Sequence, residues 1–147
     1  MIESVIVVDE NIYACGTKYL NVYDFLGEVK ESVFIYGWKY AKSQIIDSTM
    51  YFAYIPRDSE GDGVSAIKII RKGKTPVQIN LHDKCRQFTF YGKSIYCASL
   101  NDVSSYSLEG VLDRTLQLPV TFDKILKAEG GYIYAARADA VFQIPVK

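Results

Sequence analysis

Asp58, Glu60 and Asp62 stand at alternate positions before Gly63, a D-x-E-x-D-G run whose carboxylate oxygens could wrap a Ca²⁺ ion. The ninth and twelfth positions counted from Asp58 are Ala66 and Ile69, where such a loop needs further oxygen ligands. The run therefore reads as a weak Ca²⁺ site or as a solvated acidic loop, and no other cofactor is expected. Gly61 to Ala66 carries the letters of a dinucleotide fingerprint, but it follows an acidic loop and opens a strand, whereas a fingerprint follows a strand and opens a helix. His82, the only histidine, precedes Asp83 and has no nucleophile motif to serve, so the two read as an ordinary loop pair. Cys15, Cys85 and Cys97 lie in apolar runs without metal-ligand spacing and read as reduced core thiols.

Recognition chemistry is better supplied than reaction chemistry. Tyr36-Gly37-Trp38-Lys39-Tyr40-Ala41-Lys42 interleaves aromatic rings with cations, a composition enriched where proteins bind one another. The competing reading packs Trp38 into a junction between sheets. Seventeen basic residues balance seventeen acidic ones, so no net field draws in nucleic acid or an anionic membrane. The N-terminal Met1-Ile2-Glu3-Ser4 lacks a signal-peptide pattern, no segment is long enough to span a bilayer, and the expected compartment is the cytoplasm.

Short strands must position these residues. Ile12-Tyr13-Ala14-Cys15, Met50-Tyr51-Phe52-Ala53, Ile95-Tyr96-Cys97-Ala98 and Ile133-Tyr134-Ala135-Ala136 repeat one signature, and their tyrosines are 38, 45 and 38 residues apart. The long interval holds the inserted stretch from Pro56 to Gly63. Tyr13 to Gly27 and Tyr96 to Gly110 are both 14 residues, and turn residues separate apolar runs throughout. Units over residues 3–36, 43–79, 85–118 and 123–147 predict fifteen strands within one domain, 1–147, the last unit lacking its outer strand. The strands read as nearly continuous apolar runs, as expected of sheets covered on both faces.

A period near forty with four short strands per unit resembles the β-propeller superfamily. The expected fold is all-β, an array of four antiparallel four-stranded blades with the last blade clipped; a β-sandwich is the alternative. The Gly-His and Trp-Asp pairs of WD repeats are absent, and the kelch-like doublet Gly130-Gly131 occurs once. The acidic run is similar to the calcium loops of EF-hands and integrin-type propellers.

By this resemblance, Tyr36, Trp38, Lys39, Tyr40 and Lys42 share a face with Lys18, the 56–63 insertion, Asn101, His82 and Arg86. The leading expectation is a non-catalytic module that binds another protein, or a second copy of itself, through that face. A small-ligand, sugar-like binding propeller with Ca²⁺ at Asp58, Glu60 and Asp62, and a reduced propeller hydrolase, are the alternatives. A clipped last blade leaves three arrangements open: closure within one chain, a ring of two chains, or part of a longer protein.

Overall fold

Val5 to Val8 and Ile12 to Cys15 are β-branched and aromatic runs on either side of Asp9-Glu10, and they pair as β1 (Ile2–Val8) and β2 (Asn11–Gly16). The computed structural model describes residues 1–59, 63–99, 101–118, 121–122 and 124–145, excluding the side chains of Ile125 and Leu126. With β3 (Tyr19–Tyr23) and β4 (Val29–Phe34), the first hairpin forms a four-stranded meander. A second sheet follows in the order β5 (Trp38–Ile46), β6 (Thr49–Pro56), β7 (Val64–Arg71) and β8 (Val77–Cys85). The third runs β9 (Gln87–Tyr91), β10 (Ser94–Ala98), β11 (Asp102–Ser107) and β12 (Leu112–Gln117). The fourth has, among the described residues, three strands, β13 (Lys124–Glu129), β14 (Tyr132–Arg137) and β15 (Ala140–Pro145), the number expected for that unit. Among the described residues no helix is long and apolar enough to cross a membrane.

The repeat is visible in the turns. The first two strands of every sheet are joined by two residues, Asp9-Glu10, Asp47-Ser48, Gly92-Lys93 and Gly130-Gly131. Asp9, Asp47, Ser48, Gly92, Gly130 and Gly131 all have positive φ, the conformation that matches a tight hairpin to the twist of its strands. The third-to-fourth turns of the first and third sheets share one hydrogen-bond pattern. Gly27 N–H donates to Asp24 O and Gly110 N–H to Ser107 O, while Asp24 N–H donates to Glu28 O and Ser107 N–H to Val111 O. Both glycines lie near φ 90°, and each turn is flanked by a bulge, at Val22/Tyr23 and at Ser105/Tyr106. The 14-residue spacing from tyrosine to glycine thus runs from the middle of the second strand through the third strand to the turn that follows it.

The chain falls into two compact units, Met1–Ser59 with Ala66–Pro76, and Glu60–Ser65 with Val77–Lys147. In the first, Tyr13, Cys15, Leu20 and Val22 pack against Met50, Phe52, Tyr54 and Ile70. The Tyr13 and Phe52 rings are 5.0 Å apart, so the repeated tyrosine of the first sheet is a packing residue. In the second, Ala98, Val103 and Ile133 are buried together, with Tyr91, Tyr96 and Ala128 against them. Cys15, Cys85 and Cys97 are buried free thiols, as their apolar settings predict.

Two segments differ from the expected elements. Trp38 to Lys42 belong to strand β5 rather than to a connecting loop, because Trp38, Lys39 and Tyr40 pair with Pro56, Ile55 and Tyr54 and lengthen the β5–β6 hairpin. His82 lies in β8 rather than in a loop.

Candidate functional site

Tyr36 and Gly37 make the corner between β4 and β5. Ile35, buried to 1% exposure, anchors it: its N–H donates to Lys18 O at 2.8 Å, and its carbonyl accepts the Trp38 N–H at 2.9 Å. Gly37 has φ 91°, and its carbonyl accepts the Arg57 N–H at 2.8 Å. The corner is therefore fixed by backbone bonds on both sides. Tyr36 projects from it at 67% exposure, stacked on Phe34 at 6.3 Å, and Phe34 in turn lies 5.4 Å from Tyr19, its partner across the strands. These three rings form an exposed aromatic ladder.

Trp38 is half-buried against the core of the first unit, and the Lys68 ammonium lies 4.6 Å above its ring. Burial lowers the Lys68 pKa. Arg57 closes the other side. Its Nη1 and Nη2 donate to the two carboxylate oxygens of Glu3 at 2.8 and 3.0 Å, and Nη2 also donates to Trp38 O at 3.0 Å. That bidentate bond is the main reason the Glu3 carboxyl titrates below its usual range. Tyr40 turns inward, with its ring 6.4 Å from Phe52 and 6.0 Å from Tyr54 and its hydroxyl 3.0 Å from Ser43 Oγ, while Lys39 and Lys42 stay half-buried beside it on β5. Tyr36, Trp38, Lys39, Tyr40 and Lys42 are thus gathered on one corner and one strand. Tyr19, Phe34, Arg57 and Lys68 join them without having been singled out by sequence, and it is the register, with Tyr19 opposite Phe34, that brings the first two together.

His82 and Arg86 belong to the second unit. The Tyr106 hydroxyl accepts the His82 N–H at 3.0 Å and lies 3.0 Å from His82 Nδ1, which ties β8 to β11. Ser104 Oγ is 3.4 Å from Nδ1 and 3.5 Å from Nε2, and Asp102 Oδ2 is 3.9 Å from Nε2. The residue types are those of a hydrolytic triad, but the geometry is not. An oxygen equidistant from both ring nitrogens faces the carbon between them rather than a lone pair, and Ser104 is 1% exposed and bonded to Thr115 at 3.0 Å. The cluster fastens strands. Arg86 is exposed, its N–H donating to Ala98 O at 2.8 Å.

Of the acidic run, Asp58 is an exposed turn residue, while Glu60 and Asp62 lie outside the described residues. Ala66 and Ile69 are buried in β7 at 7% and 2% exposure and face the protein interior. Among the described residues no three His, Cys, Asp or Glu side chains come together as a metal site.

No protein-family model and no curated protein sequence matches the chain. Solved structures do match. BBS1N, from a crystal structure in complex with ARL6DN, aligns with a TM-score of 0.63 and 16% identity over 99% of this chain and 52% of its own. A protein of unknown function from Bacteroides caccae aligns at 0.53 and 15% identity, over 94% of this chain and 54% of its own. Kluyveromyces lactis Hsv2 gives 0.53 and 10%, over 91% of this chain and 42% of its own. The fold is that of β-propeller blades. At such identities the likeness is one of fold alone, and the chain spans about half the length of these solved chains.

Proposed function

We propose that the chain is a non-catalytic, propeller-type interaction module that binds another protein at the corner formed by Tyr36, Trp38, Lys39 and Arg57. The observation that carries this reading is an exposed aromatic ring, Tyr36, held on a corner whose backbone is already bonded on both sides. A ring ordered in advance loses little entropy on contact, which is why such residues concentrate binding energy. Lys39 and the edge of Trp38 give the corner a cationic and aromatic rim suited to an acidic or aromatic partner surface, while Arg57, paired with Glu3, holds the backbone of that rim in place. The solved complex of BBS1N with ARL6DN is an instance of the fold engaged with a protein. His82 and Arg86 are a proposed extension of the surface, the four sheets are taken to work as one domain, and three buried thiols suit a reducing compartment such as the cytoplasm.

The test is site-specific photocrosslinking. A crosslinking side chain at Tyr36 should capture a discrete protein that the same group at Glu28 does not, and Trp38→Ala should abolish capture without changing the circular dichroism spectrum. Equal capture from both positions would overturn the assignment.

A further inference from the structure

The His82 ring on β8 lies against the third sheet, on the face that carries Ser104 and Tyr106. Cys97 stands directly across from Ser104 on β10, so its thiol shares that face. Three residues beyond His82, β8 ends at Cys85. The thiols of Cys85 and Cys97 meet there, both within the second unit and only 3% and 5% exposed. Cys15 is placed differently, in the core of the first unit beside Tyr54.

The backbone holds both cysteines in position. The Arg86 N–H donates to Ala98 O at 2.8 Å, joining the residues that follow the two cysteines. Gly63 passes so close on another side that a Cβ there would stand 2.6 Å from the Cys85 carbonyl oxygen. The Cys85 thiol donates to Gln87 O at 2.9 Å, and Cys97 is fixed between Phe88 and Ser104 by strand pairing on both sides. Contact with the Cys85 sulfur, together with burial, pushes the Cys97 thiol up, so Cys97 rests protonated.

We infer that Cys85 and Cys97 form a dithiol site that a small-molecule disulfide converts to an intrachain disulfide, fastening the end of β8 to β10. A disulfide sets its sulfurs about 2.0 Å apart and its Cβ atoms about 3.8 Å apart, a closure open to two thiols already in contact. The exchange takes two displacements. One cysteine sulfur, having given its proton to water, attacks the small disulfide and releases a thiolate; the other, losing its proton in turn, attacks the mixed disulfide and releases the second thiolate. The protein gives up two electrons and two protons, and the small disulfide is reduced to two thiols. Burial slows the first displacement, which waits for the end of β8 to open, while contact speeds the second, so no mixed disulfide accumulates. The inference does not depend on the partner proposed for the Tyr36–Trp38 corner.

Oxidised glutathione is the probe. The folded chain, incubated with it and then alkylated in denaturant, should become lighter by two hydrogen atoms before alkylation and keep Cys15 as its one reactive thiol. Trypsin should release Ser94–Arg114 with Cys85-Arg86 attached, and a reducing agent should separate them. Cys85→Ser and Cys97→Ser should each prevent the link, and Cys15→Ser should leave it intact. Three reactive thiols after oxidation, a link that involves Cys15, or a Cys85–Cys97 link that forms only once urea has unfolded the chain would overturn the inference.

Discussion

Arg57 and Glu3, 54 residues apart, meet through two parallel hydrogen bonds of 2.8 and 3.0 Å and fasten β1 to the end of the β5–β6 hairpin. Both side chains remain partly exposed, 37% and 28%, so solvent screens the pair and its contribution is about 1 kcal/mol. Arg57→Lys should lose most of it, since an ammonium cannot reproduce the fork; chemical denaturation measures the change. The Glu3 carboxyl is depressed in the folded state relative to its usual 4.5, so the stabilisation is present above that value and disappears as pH falls through the folded-state pKa. The stability gap between wild type and Glu3→Gln should therefore be full at neutral pH and close in acid. A gap that persists in strong acid would contradict the assignment.

Phe52 and Tyr54 are adjacent large side chains in the same core, and they should respond oppositely to truncation. Phe52 is 1% exposed, and Phe52→Ala should cost about 3–5 kcal/mol through lost burial and the cavity left behind. The Tyr54 hydroxyl is buried without a well-formed hydrogen bond among the described residues, with the Cys15 thiol as its weak neighbour. Tyr54→Phe should be neutral or stabilising in equilibrium unfolding, because it removes a desolvated polar atom.

Tyr106 accepts a backbone N–H and contacts the ring of His82, so its hydroxyl should matter more than the imidazole. Tyr106→Phe leaves the His82 N–H without its partner and should cost about 1–3 kcal/mol, whereas His82→Ala should cost less. Urea denaturation of the two variants gives the order.

Ser104 should be unreactive. Its 1% exposure and its bond to Thr115 predict that a fluorophosphonate probe leaves it unlabelled and that Ser104→Ala changes no background ester hydrolysis. Labelling at Ser104 would restore the hydrolase reading.

Calcium should leave the melting temperature unchanged. Ala66 and Ile69 occupy the positions where a loop starting at Asp58 needs oxygen ligands, and both are buried in β7. A calcium-dependent rise that is lost in Asp58→Ala would reverse this expectation.

The repeat was legible because tyrosine, glycine and two-residue turns act locally: Tyr13 on β2 and Gly27 in the β3–β4 turn are separated by the rest of β2, one turn and β3, and their spacing is the length of that run. The binding corner was legible only in part. Trp38 to Lys42 read as the connection between units because the repeat put unit boundaries at residues 36 and 43; the alternation of aromatics with lysines is itself a strand pattern, and pairing with Tyr54 to Pro56 draws the stretch into β5. His82 looked like a loop residue for the same reason, since its partner Tyr106 is 24 residues away. Phe34 and Tyr19 carry no mark in the sequence beyond that of ordinary strand aromatics; the register sets them opposite one another, and Phe34 in turn stacks on Tyr36.

The paired turns at Asp24 and Ser107 bear on how such a chain can be recognised. The side chains at these positions, a carboxylate in one and a hydroxyl in the other, accept backbone N–H groups four residues on, from Glu28 and Val111. What the repeat stipulates at that point is an acceptor atom at the right distance, and two different letters spell it. Identity-based comparison sees two unrelated residues where the geometry sees one instruction, so the architecture can be written in many alphabets while keeping its hydrogen-bond grammar.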